Sequence, residues 1–307
     1  MTVREGTTTA TVETPPLQAR VRSYASLLRI RQWVKNAFVL AGLFFSDQLF
    51  EVSKVGDALA ATIGFCLVSS AAYCFNDIID RKADAAHPEK RRRPVASGTV
   101  SVREAAGLAI GLLFSAAIVL GMAGLPWQVH VIVASYVVLN ALYSGGLKRL
   151  SLLDVVVIAS GFVLRLEAGI YAVDVPPSSW IVLCTGLLSL FLAFAKRRSD
   201  LALDDTETRQ ALAGYTLPFI DQVLGMMGAA TIVVYALFTV SDYAQLRFDA
   251  PLLYLTTFPV VLAILRYLQL VVVRGRYASP AELLIRDQPL QLVIVVWVAL
   301  FGIFAYA

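Results

Sequence analysis

The sequence predicts an all-α integral membrane protein, a bundle of nine spanning helices in a single domain, on three observations. The chain of 307 residues is 58% hydrophobic and only 16% charged, with a mean hydropathy of +0.71, whereas a soluble domain carries roughly 25% charged residues. Several apolar runs reach about 20 residues, the length a helix needs to cross the hydrocarbon core. Open sheet edges cannot satisfy their hydrogen bonds in lipid, so the spans are helices.

The elements follow in order. Met1 to Gln18 is Thr-rich, carries Pro15 and Pro16 and has no apolar h-region, so residues 1–20 are read as a disordered tail rather than a signal peptide. Residues 21–307 form the transmembrane domain. Ser23 to Lys35 sets Arg29, Arg31 and Lys35 against Leu27, Leu28, Ile30 and Trp33, the pattern of a helix lying in the interface. The nine spans are 36–52, 55–75, 104–124, 127–144, 152–173, 179–195, 217–240, 251–273 and 289–307, the first being short and interrupted by Asp47. Pro126, Pro177, Pro251 and Pro289 fall near span starts, where a missing N–H costs nothing.

Of the 26 Lys and Arg, all but Lys54, Arg247, Arg165 and Arg266 fall in the tail, the interfacial helix and the loops after even-numbered spans. The positive-inside rule makes those loops cytoplasmic, with the N-terminus in and the C-terminus out. Cys66, Cys74 and Cys184 lie in apolar runs and read as small core residues. Two histidines, His87 and His130, are too few and too distant for a His-based metal site. No nucleic-acid partner is expected; the partner surface is membrane lipid.

Chemistry concentrates at the end of the second span. Asn76, Asp80 and Asp84 are spaced i, i+4, i+8, with Asp77 three before Asp80, so on a continuing helix they converge toward one side. Hard oxygen donors of this kind suit Mg²⁺, which takes one or two carboxylates and leaves its other positions to water and phosphate. The run Lys90-Arg91-Arg92-Arg93-Pro94 follows directly. Three further clusters lie on the same side: Tyr143 with Gly145, Gly146 and Lys148; Lys196-Arg197-Arg198-Ser199-Asp200; and Arg286-Asp287-Gln288. Together they describe a pocket for Mg²⁺ and a polyanion. Arg165 and Arg266 fall inside spans, where a charge is costly and by default functional; a structural ion pair is the other reading of each. The end of span six echoes the end of span two, a sign of internal duplication.

The Asn76…Asp80…Asp84 motif, Arg93-Pro94…Ser97-Gly98, the Tyr143…Lys148 turn and the nine spans together resemble the UbiA superfamily of intramembrane prenyltransferases, over nearly the whole chain from Arg29. The resemblance implies a bacterial inner-membrane enzyme whose cytoplasm-facing central cavity, open sideways to lipid, holds a diphosphate through Mg²⁺ on two aspartate-rich motifs. The first motif is matched. In the second, Lys196 stands where the family has an aspartate, and only Asp200 matches. Arg31 to Asn36, Lys196-Arg197, Ile264 to Tyr267 and Arg286 to Gln291 are similar to a subgroup that transfers 5-phosphoribose from phosphoribosyl diphosphate to a polyprenyl phosphate for arabinan synthesis. That likeness implies Asp80, Asp84 and Lys148 as catalytic, with Asn76 and Asp77 completing the metal set. It implies Lys35, Lys90, Arg93, Tyr143, Lys148, Arg165, Lys196, Arg197, Asp200 and Arg266 as substrate-binding, with Arg165 and Arg266 the candidates for the lipid phosphate. An aromatic prenyltransferase for quinone or haem synthesis is the alternative. Lipid chain length and oligomeric state, a homo-oligomer included, stay open.

Overall fold

The computed structural model describes residues 17–46, 48–203, 212–275 and 280–306. Residues 1–16 of the forecast tail, and Asp47, lie outside the described residues. Among the described residues all regular structure is helical. The helices are α1 Leu17–Leu28, α2 Ala37–Phe44, α3 Val52–Ile79, α4 Arg81–Ala86, α5 Val102–Met122, α6 Trp127–Gly145, α7 Leu153–Ala172, α8 Ser179–Ala202, α9 Leu217–Val240, α10 Asp242–Phe248, α11 Thr257–Leu268, α12 Pro280–Arg286 and α13 Gln288–Tyr306. A 3₁₀ segment, Leu253–Thr256, leads into α11, and a π-helical stretch, Gln269–Val273, extends it.

Eight helical segments among the described residues are long and apolar enough to cross a membrane: α3, α5, α6, α7, α8, α9, Leu253–Val273 and α13. They answer eight of the nine forecast spans. The forecast span 36–52 takes another form. Arg29 adopts a left-handed conformation after α1, a 3₁₀ segment runs over Ile30–Asn36, and α2 has only 8 residues, about 12 Å of rise. The helix stops at Phe44, where the Ser46 hydroxyl donates to the Leu43 carbonyl at 2.7 Å and accepts the Gln48 N–H at 3.2 Å.

Local sequence sets the helix starts. Ser101 and Glu104 form a reciprocal capping box at α5, satisfying two N–H groups that a helix start leaves orphaned. Thr216 caps α9, with Pro218 in its first turn. Large side chains such as Ile110, Phe114, Ile118, Val131, Val138, Leu237, Leu292 and Val295 stay exposed on the outer faces. A water-soluble protein rarely leaves so much apolar surface bare, and here it forms the lipid belt of a multi-pass membrane protein.

The packing places α3 against α5, α8 against α9, and α7 against α2, α6 and α8. The α2–α7 crossing is backbone on backbone: a Cβ built on Gly169 would lie 1.8 Å from the Val39 carbonyl oxygen, and one on Gly42 2.4 Å from the Ile170 nitrogen. At the far end of the bundle, Phe44, Phe45, Phe238, Phe248, Trp297 and Phe301 form an aromatic cluster, and the Tyr306 hydroxyl reaches the carbonyls of Phe44 and Ser46. The end of α2 is thus fixed from two sides, and Asn36 at its beginning meets Arg165 of α7.

Candidate active site

The end of α3 continues into α4 without losing helical register: Asp80 N–H bonds to Asn76 O at 2.9 Å and Asp84 N–H to Asp80 O at 2.8 Å. Asn76, Asp80 and Asp84 therefore rise along one face, as their spacing predicts. Each meets a partner from another element. The Lys148 ammonium, on the 3₁₀ turn Leu147–Arg149, sits 2.5 and 2.7 Å from the two Asp80 oxygens. Arg93 donates to both Asp84 oxygens, at 3.1 and 2.8 Å. Asp77, buried on the adjacent face, accepts from Arg29 at 2.5 Å and has Arg93 at 3.6 Å. The Ser144 hydroxyl donates to the Asn76 side chain. The Gly145-Gly146 turn that ends α6 brings Ser144 and Lys148 over the acidic face together. Lys90 opens the 3₁₀ turn Lys90–Arg92 that leads to Arg93.

The end of α8 is arranged differently. Arg197 is buried between two carboxylates: its Nε lies 2.5 Å from Asp154, Nη1 2.7 Å from Asp200, and Nη2 3.4 Å from the Tyr143 hydroxyl. Asp154, completely buried in the first turn of α7, also accepts from the Tyr215 hydroxyl at 2.8 Å. That hydroxyl in turn accepts the Leu152 N–H at 2.6 Å. Burial first, with the nearby Asp154 carboxylate adding to it, pushes the Tyr215 phenol up to about 12, so it stays a neutral donor. Lys196 is the exposed member, 2.8 Å from Asp200. Arg198 faces the other way and clamps Asp221 of α9 and the carbonyl of Val271, an acceptor in the π-helical stretch.

Deeper in the bundle lies a third layer. Arg165 of α7 is 5% exposed. Its Nε donates to Asn36 at 2.8 Å, Nη1 to Gly161 O at 2.8 Å and Nη2 to the Tyr136 hydroxyl at 2.6 Å, with the guanidinium over the Tyr136 and Phe162 rings. The Asn36 amide nitrogen donates to Ser69 at 3.2 Å. Lys35, on the 3₁₀ segment just before α2, is half-buried beside this layer. Burial first, then the positive charges of Arg165, Lys196 and Arg29, lower its pKa to about 8.

Arg266 stands apart from these groups. It makes a two-pronged pair with Asp287, at 3.0 and 2.8 Å, and donates to Gln269 at 2.6 Å. Asp287 also caps Leu290 N–H at 3.0 Å, so the pair ties α11 to the start of α13. Of the two arginines inside spanning segments, Arg165 lies in the deeper layer with Asn36 and Tyr136, and Arg266 has the geometry of a structural clasp. Asp154, Tyr215, Arg29, Ser144 and Tyr136 are bonded into these clusters, although no motif or spacing in the sequence singles them out. Asp154 reads there as an ordinary acid at a helix start, which complements the helix dipole.

Among the described residues no three His, Cys, Asp or Glu side chains gather as a metal cage. The donor chemistry nevertheless fits Mg²⁺, which needs only one or two carboxylates beside phosphate and water. Asp80 is the best placed, with a side chain 27% exposed and one helical turn from both Asn76 and Asp84. Asp77 and Asp84 are almost fully buried, each paired with an arginine that a metal-bound diphosphate could draw away.

Comparison with known proteins decides the family. The UbiA prenyltransferase family profile matches residues 36–286. The chain belongs to the UbiA family. It is 33% identical over 304 residues to the decaprenyl-phosphate phosphoribosyltransferase of Mycolicibacterium smegmatis, covering 95% of each chain. With the enzyme of that name from Corynebacterium glutamicum it is 34% identical over 280 residues, 88% of this chain and 83% of the relative. Among solved structures, a UbiA homologue from Archaeoglobus fulgidus bound to GPP and Mg²⁺ superposes with a TM-score of 0.70 at 18% identity, covering 93% of this chain and all of that one. The UbiA chain described here is a membrane-embedded transferase.

Proposed function

We propose that this UbiA enzyme transfers a 5-phosphoribosyl group from phosphoribosyl diphosphate to a polyprenyl phosphate, with release of diphosphate. The observation that carries this reading is the end of α8, where the family's second acidic motif begins with Lys196 and is followed by Arg197. An acidic pair there would hold a second metal; a lysine and an arginine favour a substrate that brings another phosphate. The relatives named decaprenyl-phosphate phosphoribosyltransferase, 31–34% identical to this chain, support the same reading.

Asp80, with Asn76 beside it and Asp84 a turn further on, would hold Mg²⁺. When bound, the ion neutralises charge on the diphosphate as it departs. Lys148 and Arg93 are poised on the same acidic face. As the diphosphate arrives they exchange a carboxylate for its oxygens, and there they stabilise the negative charge that grows on the leaving group. An ionised oxygen of the lipid phosphate attacks the anomeric carbon. The new C–O bond forms as the bond to diphosphate breaks, the diphosphate keeps the electron pair, and the configuration inverts. The attacking oxygen carries no proton, so no general base is needed. Lys196, exposed at the cavity edge, meets the ribose 5-phosphate, and Asp200 faces a ribose hydroxyl. Arg197 is a positioning residue, since two carboxylates, Asp154 and Asp200, already neutralise it. The basic loops set this face in the cytoplasm of a bacterial inner membrane, and the lipid enters sideways.

Turnover in detergent tests the reading. Purified protein, phosphoribosyl diphosphate, a polyprenyl phosphate and Mg²⁺ should yield diphosphate and a lipid-linked phosphoribose, and EDTA should stop both. Absence of that product, with turnover of a prenyl diphosphate and an aromatic acid, would establish the aromatic prenyltransferase instead.

A further inference from the structure

Around the cavity, cations and carboxylates are matched almost one to one. Arg29 has Asp77, Arg93 has Asp84, Lys148 has Asp80, Arg197 has Asp154, and Lys196 has Asp200. In the deeper layer, Arg165 and the neighbouring Lys35 have no carboxylate partner among the described residues. Arg165 is the more telling. A buried charge is strongly unfavourable unless compensated, yet every acceptor it meets is neutral: Asn36, Gly161 O and Tyr136. A guanidinium has five N–H groups, and these three bonds use three of them. Lys35 makes no hydrogen bond or ion pair among the described residues, and the charges that act on it are all positive.

We propose that Lys35 and Arg165 form a binding site for a phosphate monoester, distinct from the diphosphate site at Asp80, and that its occupant is the phosphate of the polyprenyl lipid. The charge fits, since a phosphate monoester carries about −2 near neutral pH and these two residues leave an excess of two positive charges. The hydrogen bonding fits as well: the two spare guanidinium N–H groups and the three of the ammonium match an oxygen-only acceptor. Depth selects between the two monoesters of the reaction. Arg165 is twelve residues into α7, about 18 Å from its start, and Ser69, which holds Asn36, is ten residues before the end of α3, about 15 Å in. That level is near the middle of a core roughly 30 Å thick. A lipid reaches it from the side, whereas ribose 5-phosphate arrives from water. The assignment rests on the phosphoribosyltransferase reading for its ligand, and on the uncompensated charge for its position.

Equilibrium binding without turnover tests it. Wild-type protein, Lys35→Gln and Arg165→Lys are titrated in detergent, without Mg²⁺, with a polyprenyl monophosphate, with the corresponding polyprenol, and with ribose 5-phosphate. The expected result is a roughly ten- to hundred-fold loss of affinity for the lipid phosphate in each variant, the size of one lost charge-assisted contact, with polyprenol and ribose 5-phosphate unaffected. If Arg165→Lys does not fold, Lys35→Gln decides alone. Unchanged lipid-phosphate affinity, or a loss confined to ribose 5-phosphate, would overturn the assignment. The two readings fail separately. Lys35-dependent lipid binding without turnover of phosphoribosyl diphosphate leaves the site standing and removes the activity. Turnover with normal lipid-phosphate affinity in both variants does the reverse.

Discussion

The ends of α3 and α8 are both C-terminal ends of spanning helices that carry a charged cluster, but they arrange charge in opposite ways. At α3 the carboxylates belong to the helix and the cations come from elsewhere: Lys148 from the turn after α6, Arg93 from the loop before α5, Arg29 from the end of α1. At α8 the helix supplies Lys196 and Arg197, and the decisive carboxylate, Asp154, comes from α7. The first arrangement is half open, with Asp80 and Lys148 partly exposed, whereas Arg197 and Asp154 are 4% and 0% exposed at their side chains. An exposed pair exchanges partners readily, and a buried one holds elements together. The α3 end is therefore built to change its ligands and the α8 end to keep them.

The largest effect should come from breaking the closed end. Asp154→Ala leaves the buried Arg197 with Asp200 alone and takes the acceptor from the Tyr215 hydroxyl, and should cost about 3 kcal/mol of stability, read as a fall in the thermal unfolding midpoint in detergent. Asp80→Ala, at the open end, should leave that midpoint nearly unchanged, because a partly exposed pair contributes little. It should instead lower kcat by roughly a hundred- to a thousand-fold, about 2.7–4 kcal/mol in the transition state. If Asp80→Ala unfolds the bundle and Asp154→Ala only slows it, the contrast is inverted. Lys196→Asp would restore the family's acidic residue at α8. It should raise KM for phosphoribosyl diphosphate by about ten-fold, the size of one exposed charge-assisted contact, with a smaller change in kcat.

The smallest effect is a pH dependence. The folded-state pKa of Lys35, about 8, lies below its ordinary 10.5, since burial first, and then the charges of Arg165, Lys196 and Arg29, disfavour the ammonium. Below about 8 both folded and unfolded chains carry the proton, and the burden on folding is full. Between about 8 and 10.5 the folded chain releases it first, so stability should rise with pH. Lipid-phosphate affinity should fall over the same interval, because the ligand needs the ammonium. Lys35→Arg should abolish both trends, in unfolding curves and in binding titrations.

Much of this was legible in the sequence. Helical spacing alone puts Asn76, Asp80 and Asp84 on one face, and a glycine pair beside Tyr143 and Lys148 signals the turn that carries the lysine back. Eight spans follow from apolar length. The first differs because residues 37–45 are apolar enough to suggest a span, whereas Ser46 takes the Leu43 carbonyl and the Gln48 N–H and ends the helix at Phe44. Arg165 and Arg266 are equal as charges in apolar runs. They are told apart only by the tertiary position of Asp287, which reaches Arg266 across 21 residues. Asp154 and Tyr215 stayed hidden because a lone acid and a lone tyrosine have no spacing to betray them.

The crossing of α2 and α7 has a consequence for tracing relatives. No side chain larger than hydrogen fits at Gly169, and Val39, whose carbonyl blocks that space, lies three residues beyond Asn36. The glycine thus works as a ruler, fixing how far the inward-facing asparagine can stand from the arginine one turn earlier on α7. A UbiA sequence that carries both Asn36 and Arg165 but a bulkier residue at 169 must splay the two helices and lose the bond between them. The three positions read together then form a compact signature for chains that keep a deep cation, usable wherever only sequences are known.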